Sequence, residues 1–204
     1  PMKRISPWYR RPWLLLLGAL LILSAWAAWS ILTLPSVKPL ANPRFSTTIT
    51  VKDWKKRDRP FVVGPKNPRW TPYGAIPSAM KKAVVAAEDA NFYSHEGVDY
   101  EALQDALVAD IQRGKFVRGG STITQQLAKN LYLTREKTIV RKIKEIILAR
   151  RIDDTISKRR ILELYLNVVE LGPMVYGVGH ASDYYFGKPV SALTVRECAF
   201  LASM

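Results

Sequence analysis

The chain has 204 residues, 48% of them hydrophobic, and carries 31 Lys and Arg against 17 Asp and Glu, for a formal net charge of +14. That length suffices for a domain whose core needs no covalent staples, and a lone cysteine, Cys198, excludes a disulfide framework and a thiolate metal site. The basic surplus comes with no recognition helix, zinc spacing or aromatic strand motif, which argues against nucleic acid as a partner, and His95 and His180 stand too far apart in sequence to suggest zinc.

Composition divides the chain into a basic tail (1–12), an apolar segment (13–34), a Pro-rich basic stretch (35–77) and a helical remainder (78–204). Trp13 to Leu34 contains no charged residue, and as a helix it is long enough to cross a hydrocarbon layer of about 30 Å. Lys3, Arg4, Arg10 and Arg11 precede it, so the positive-inside rule predicts a cytoplasmic N-terminus and a remainder on the far side. Ala25-Trp26-Ala27 also fits a signal-peptide cleavage pattern, leaving a cleaved leader open beside an anchor; the apolar run past that site to Leu34 favours the anchor.

Pro35, Pro39, Pro43, Pro60, Pro65, Pro68, Pro72 and Pro77 break any long helix in the next stretch, where Thr47–Lys52 reads as a short strand. Residues 36–82 hold eleven Lys or Arg against two Asp. Lys55, Lys56, Arg57 and Arg59 there suit a solvated face or anionic lipid headgroups.

From Ser78 onward the pattern is helical. Met80, Val84, Ala87 and Phe92 are expected on one buried face, with Gly97 ending the following turn. A second helix is expected over Tyr100–Arg113, closed by Gly114, with Leu103, Ala106, Leu107 and Ile111 inward. Ser121 or Thr122 opens a third. Thr138–Ile152 forms a fourth with Ile139, Ile143, Ile146 and Ile147 as its apolar stripe, and Ser157 caps a fifth that runs to Asn167. A glycine-marked loop leads to a short helix carrying Tyr184, Tyr185 and Phe186, and Thr194-Val195-Arg196-Glu197 is a capping box for a last helix. That helix reaches Met204 with no stop signal, so a continuation beyond it is expected.

Two clusters carry chemistry. Glu88-Asp89 runs into His95-Glu96-Gly97, and Gly119-Gly120-Ser121-Thr122 leads to Gln125-Gln126. Together they offer a general base beside hydroxyl, amide and backbone donors for an anionic group, which points to an enzyme acting on a phosphorylated substrate.

Five blocks in order resemble the peptidoglycan glycosyltransferase family, the lysozyme-like transglycosylases found alone or as the first half of class A penicillin-binding proteins. They are Glu88-Asp89-x-x-Phe92-x-x-His95-x-Gly97; Gly120-Ser121-Thr122-x-Thr124-Gln125-Gln126 with Lys129-Asn130; Arg141-Lys142-x-x-Glu145; Lys158-x-x-Ile161-Leu162-Glu163-x-Tyr165-Leu166-Asn167; and Gly177 through Ala181 to Tyr185-Phe186-Gly187. The resemblance implies a mainly α, lysozyme-like glycosyltransferase domain preceded by one N-terminal transmembrane helix. It implies polymerisation of lipid II, with inversion, from a lipid-pyrophosphate donor to the 4-hydroxyl of the acceptor.

By that resemblance Glu88 is the base and Glu145 the second acidic residue, arranging cationic side chains or a divalent ion such as Mg2+ or Mn2+; no tightly bound cofactor is expected. Ser121, Thr122, Gln125, Gln126 and Asn130 would supply neutral hydrogen bonds, and Lys129, Arg141 and Lys142 charge, to the pyrophosphate. Lys137 stands where an arginine is usual, keeping the charge without the bidentate fork. Asp89 and His95 are expected to orient the loop, and Lys158–Asn167 to be architectural. The implied partners are lipid II, the growing glycan, membrane lipids and other cell-wall synthesis proteins, with the catalytic domain on the periplasmic side of a bacterial inner membrane.

Ser78-Ala79-Met80-Lys81 matches the Ser-x-x-Lys pattern of transpeptidases, but no Lys-Thr-Gly accompanies it. Glu170-Leu171-Gly172-Pro173 favours the monofunctional type. A lysozyme-like cleaving enzyme and a non-catalytic membrane scaffold are the competing readings; the cationic cluster, for which a hydrolase has no use, argues against the first.

Overall fold

The computed structural model describes residues 12–53, 55, 57–113, 120–134 and 138–204 and divides into two units, 1–35 and 36–204. The first contains helix α1 (Pro12–Leu32). Its stretch Trp13–Leu32 is long and apolar enough to cross a membrane, and none of it is buried.

The second unit holds a two-stranded antiparallel sheet, β1 (Thr47–Lys52) and β2 (Asp58–Val63), followed by helices α2 (Ser78–Glu88), α3 (Tyr100–Arg113), α4 (Ile123–Tyr132), α5 (Ile139–Thr155), α6 (Lys158–Val168), α7 (Val178–Phe186) and α8 (Val195–Ala202). The boundary that composition sets at residue 77 falls inside this unit. Val37, Leu40, Val63 and Ile76 are all buried, and Asn167 of α6 clamps the backbone of Thr71, accepting from its N–H at 2.7 Å and donating to its carbonyl at 2.8 Å.

β1 is where alternation places it, and it pairs in the register Thr47↔Val63 to Lys52↔Asp58. Pro60 lies opposite Thr50 and is tolerated because both strands of a two-stranded sheet have a free edge. The turn between them is tied by Asp53, which accepts from the backbone N–H of Lys55 and Arg57, both at 2.9 Å, and from the guanidinium groups of Arg57 and Arg59. Two of the four cations considered for lipid headgroups therefore fold back onto this carboxylate; Lys56 lies outside the described residues.

The core is built on α4, which packs against α5 and α6, while α2 packs on α8. α4 begins with a capping box: Thr122 Oγ1 accepts from Gln125 N, and Gln125 Oε1 accepts from Thr122 N. Thr138, Ser157 and Thr194 likewise cap α5, α6 and α8 through their side chains.

The α5 stripe differs from expectation. Its buried face is Glu145, Leu148, Ala149 and Ile152, whereas Ile139 is 81% exposed and Ile143 is also exposed. Both stripes have helical spacing, and the buried one contains a carboxylate, so hydrophobicity alone selects the wrong face. Ile111 and Ala87, expected inward, are exposed as well; the side chain of Leu107 and the whole of Gly114 fall outside the description. Met80, Val84, Phe92 and Ala106 are buried as predicted.

Gly97 fixes how the loop after α2 lies on α5. Its φ is +81°, and a Cβ there would stand 2.6 Å from the carbonyl oxygen of Ala149. Gly97→Ala is expected to lower unfolding free energy by about 2–4 kcal/mol, combining left-handed strain with overpacking. Chemical denaturation checks this, and a loss under 0.5 kcal/mol, on the order of a neutral surface substitution, would show that the loop gives way freely.

Candidate active site

Glu88 is the last residue of α2, and the chain leaves the helix there with Asp89 as its C-cap. The two adjacent carboxylates consequently take different environments. Asp89 is buried and receives His95 Nε2 at 2.9 and 3.0 Å and the N–H of Ile123, the first residue of α4, at 2.9 Å. It joins the loop to the α4 N-terminus, where a carboxylate complements the helix dipole, and thus orients the loop as expected. Glu88 instead stays exposed, and its Oε2 accepts from Gln126 Nε2 at 2.6 Å.

Beneath them Lys158 Nζ donates to the His95 carbonyl at 2.6 Å and to Asp153 at 2.7 Å, and Asp153 also accepts from Thr124 Oγ1 at 3.3 Å. Thr122 Oγ1 donates to the Gly97 carbonyl at 2.6 Å. Residues from α2, α4, α5 and α6 therefore hold the loop rigidly, a requirement for a base that must meet its proton within hydrogen-bond reach.

The Glu88–Gln126 bond links a residue that lines one cavity to a residue that lines another. One, of about 330 Å³, is lined by Glu88, Asn91, Glu101, Asp105 and Ser121 among others. The other, of about 430 Å³, is lined by Gln126, Lys129, Asn130, Arg141, Glu170 and Tyr176 among others. Acidic and basic side chains are thus separated into two cavities, and Gln126, which lines the second, donates to Glu88 of the first.

Glu145 is 3% exposed and organises the cationic side. Its two oxygens receive Arg141 Nη1 at 2.6 Å and Lys142 Nζ at 2.5 Å, and Lys142 Nζ also donates to Ser121 Oγ at 2.8 Å. Arg141 Nε is buried without a partner among the described residues. Arg141 as a residue lines the second cavity, so its guanidinium brings positive charge to that wall.

Nine of the residues singled out in the sequence, Glu88, Ser121, Thr122, Gln126, Lys129, Asn130, Arg141, Lys142 and Glu145, sit on or directly behind these walls. The side chains of Thr122 and Gln125 are occupied by the capping box, and Gln125 is fully buried. Lys137 lies outside the described residues. Sequence reasoning missed Tyr165, whose hydroxyl donates to Gln126 Oε1 at 3.2 Å from a position that reads as core, and Glu170 and Tyr176 on the second cavity wall. Residue type marked none of these, although Tyr165 lay inside a motif block.

Among the described residues no three His, Cys, Asp or Glu side chains converge as a metal cage requires. Both Glu145 oxygens already receive cations. This donor set does not by itself build a divalent-cation site, and the charge facing an anion comes from Lys and Arg.

A carboxylate beside a cation-lined cavity is an arrangement suited to group transfer with an anionic leaving group. A model of the transglycosylase family matches residues 59–204, and the chain belongs to that family. The biosynthetic peptidoglycan transglycosylase of Nitrosomonas eutropha is 39% identical over 206 residues, covering 98% of this chain and 80% of the relative. The protein of the same name from Paraburkholderia xenovorans is 40% identical over 195 residues, covering 94% and 80%. That of Nitrobacter winogradskyi is 47% identical over 141 residues, covering 69% and 62%.

Proposed function

We propose that this protein is a peptidoglycan glycosyltransferase that polymerises lipid II, with Glu88 as general base. The carrying observation is the Glu88–Gln126 bond linking a carboxylate-lined cavity to one lined by Lys129 and Arg141. The acceptor 4-hydroxyl oxygen attacks the anomeric carbon of the donor and yields its proton to Glu88. The bond from that carbon to the pyrophosphate oxygen breaks, and the lipid pyrophosphate departs with the electron pair. Attack opposite to the leaving group inverts the anomeric carbon and gives the β-1,4 link. Charge growing on the departing oxygens is met by Lys129, Arg141 and Lys142, preorganised by Glu145.

The helix Trp13–Leu32 holds the enzyme to the bilayer that carries its lipid-linked substrate, raising the effective concentration of each for the other. The basic tail before it sets the catalytic unit on the periplasmic side.

Incubating the purified protein with labelled lipid II tests the reading. Glycan polymer is the expected product; cleavage of preformed glycan with no polymer would favour a lytic enzyme, and no reaction would leave a scaffold.

A further inference from the structure

We infer that Tyr165 is a positioning residue for the reaction: its hydroxyl fixes the side-chain amide of Gln126 so that the NH2 end faces Glu88. This rests on Glu88 being the base. Tyr165 lies on α6, is 2% exposed, and donates to Gln126 Oε1 at 3.2 Å, while Gln126 Nε2 donates to Glu88 Oε2 at 2.6 Å. An amide has one accepting end and one donating end, whereas a phenol that keeps its proton donates. The order phenol, amide, carboxylate is therefore the orientation in which both bonds form. Burial raises the phenol pKa, and the neighbouring Glu88 and Asp89 carboxylates raise it further, so the hydroxyl remains a donor over the working range.

The surroundings give that orientation its importance. The other titratable groups lining the Glu88 cavity among the described residues are carboxylates: Asp89 beside it, Asp99 at the loop end, and Glu101 and Asp105 on α3. Lys142 reaches the same lining through Ser121, and Lys129 lines the second cavity. The Gln126 amide is the donor recorded on Glu88 itself. Without the Tyr165 hydroxyl, the amide is free to turn its oxygen toward Glu88. An oxygen there repels the carboxylate and accepts from the protonated acid, so the base is protonated at higher pH and activity disappears sooner as pH falls.

The experiment compares pH–rate profiles for lipid II polymerisation by the full chain and by Tyr165→Phe, which keeps the ring and removes the hydroxyl. We expect Tyr165→Phe to lower kcat/KM about fivefold to twentyfold at neutral pH and to move the acid limb up by about half to one pH unit. Gln126→Ala should move the limb in the same direction, and adding Tyr165→Phe to it should move the limb no further. Tyr185→Phe, which loses a hydroxyl bond of 3.0 Å to the Leu171 carbonyl away from the cleft, should leave the limb in place. An unmoved limb in either Tyr165→Phe or Gln126→Ala would overturn the inference, as would an equal effect of Tyr165→Phe with and without Gln126. Should Tyr165→Phe fail to fold, Gln126→Ala still decides. Absence of polymer from the unmodified protein, or full activity of Glu88→Gln, would overturn instead the reading on which this rests.

Discussion

Glu88→Gln is expected to lower lipid II polymerisation by about 10²–10⁴-fold in kcat, the usual contribution of a positioned general base. The amide keeps the size of the side chain, and its oxygen can still accept from the Gln126 NH2 now 2.6 Å from Glu88 Oε2, but it cannot take the acceptor proton. Because Glu88 is exposed and the buried ties of the loop run through Asp89, Tm should change little. Lipid II binding should persist, since the cations of the second cavity are untouched. Turnover of labelled lipid II, with Tm and binding measured on the same sample, checks all three. Activity within a few-fold of the unmodified protein would remove Glu88 as the base.

Glu145→Gln should lose both stability and activity. Its carboxylate is 3% exposed and neutralises two cations at once, so the substitution leaves Arg141 and Lys142 facing each other without a counter-charge. Breaking a buried pair costs about 3–5 kcal/mol, but the side chains of Arg141 and Lys142 are 18% and 33% exposed, and partial hydration reduces the loss to roughly 2–3 kcal/mol. For a protein of this size that corresponds to a fall in Tm of about 4–12 °C. Polymerisation should fall with it, and the fall should remain when rates are compared below the new Tm, because Arg141 and Lys142 no longer hold the places in which the proposed mechanism needs them. Thermal unfolding and donor binding are the measurements. An unchanged Tm together with undiminished donor binding would show that Glu145 does not organise the cations.

The helices of the catalytic unit were legible from local rules. Ser157 and the Thr194–Glu197 box are caps, and the alternation of Thr47–Lys52 marks a strand, because these signals depend on residues within one turn or one pleat. The candidate site was legible only as a set of blocks in order; nothing local says that Glu88 meets Gln126 across 38 positions.

Where sequence reading chose the wrong face of α5, it followed Ile139 and Ile143. The fold buries Glu145 instead, because Arg141 and Lys142 come with it and neutralise it. The same limit governs Pro35–Pro77, whose prolines and charges set it apart from the helical remainder in composition, although Leu40, Val63 and Ile76 are core and Asn167 holds Thr71. The sequence by itself determined the apolar N-terminal helix, the helix caps and the polar and charged side chains available to the candidate site, all set by short-range chemistry. Only the tertiary structure decided which carboxylate is exposed and which is tied down, and that a buried tyrosine reaches Glu88 through an amide, because those outcomes depend on which distant polar group supplies each hydrogen bond.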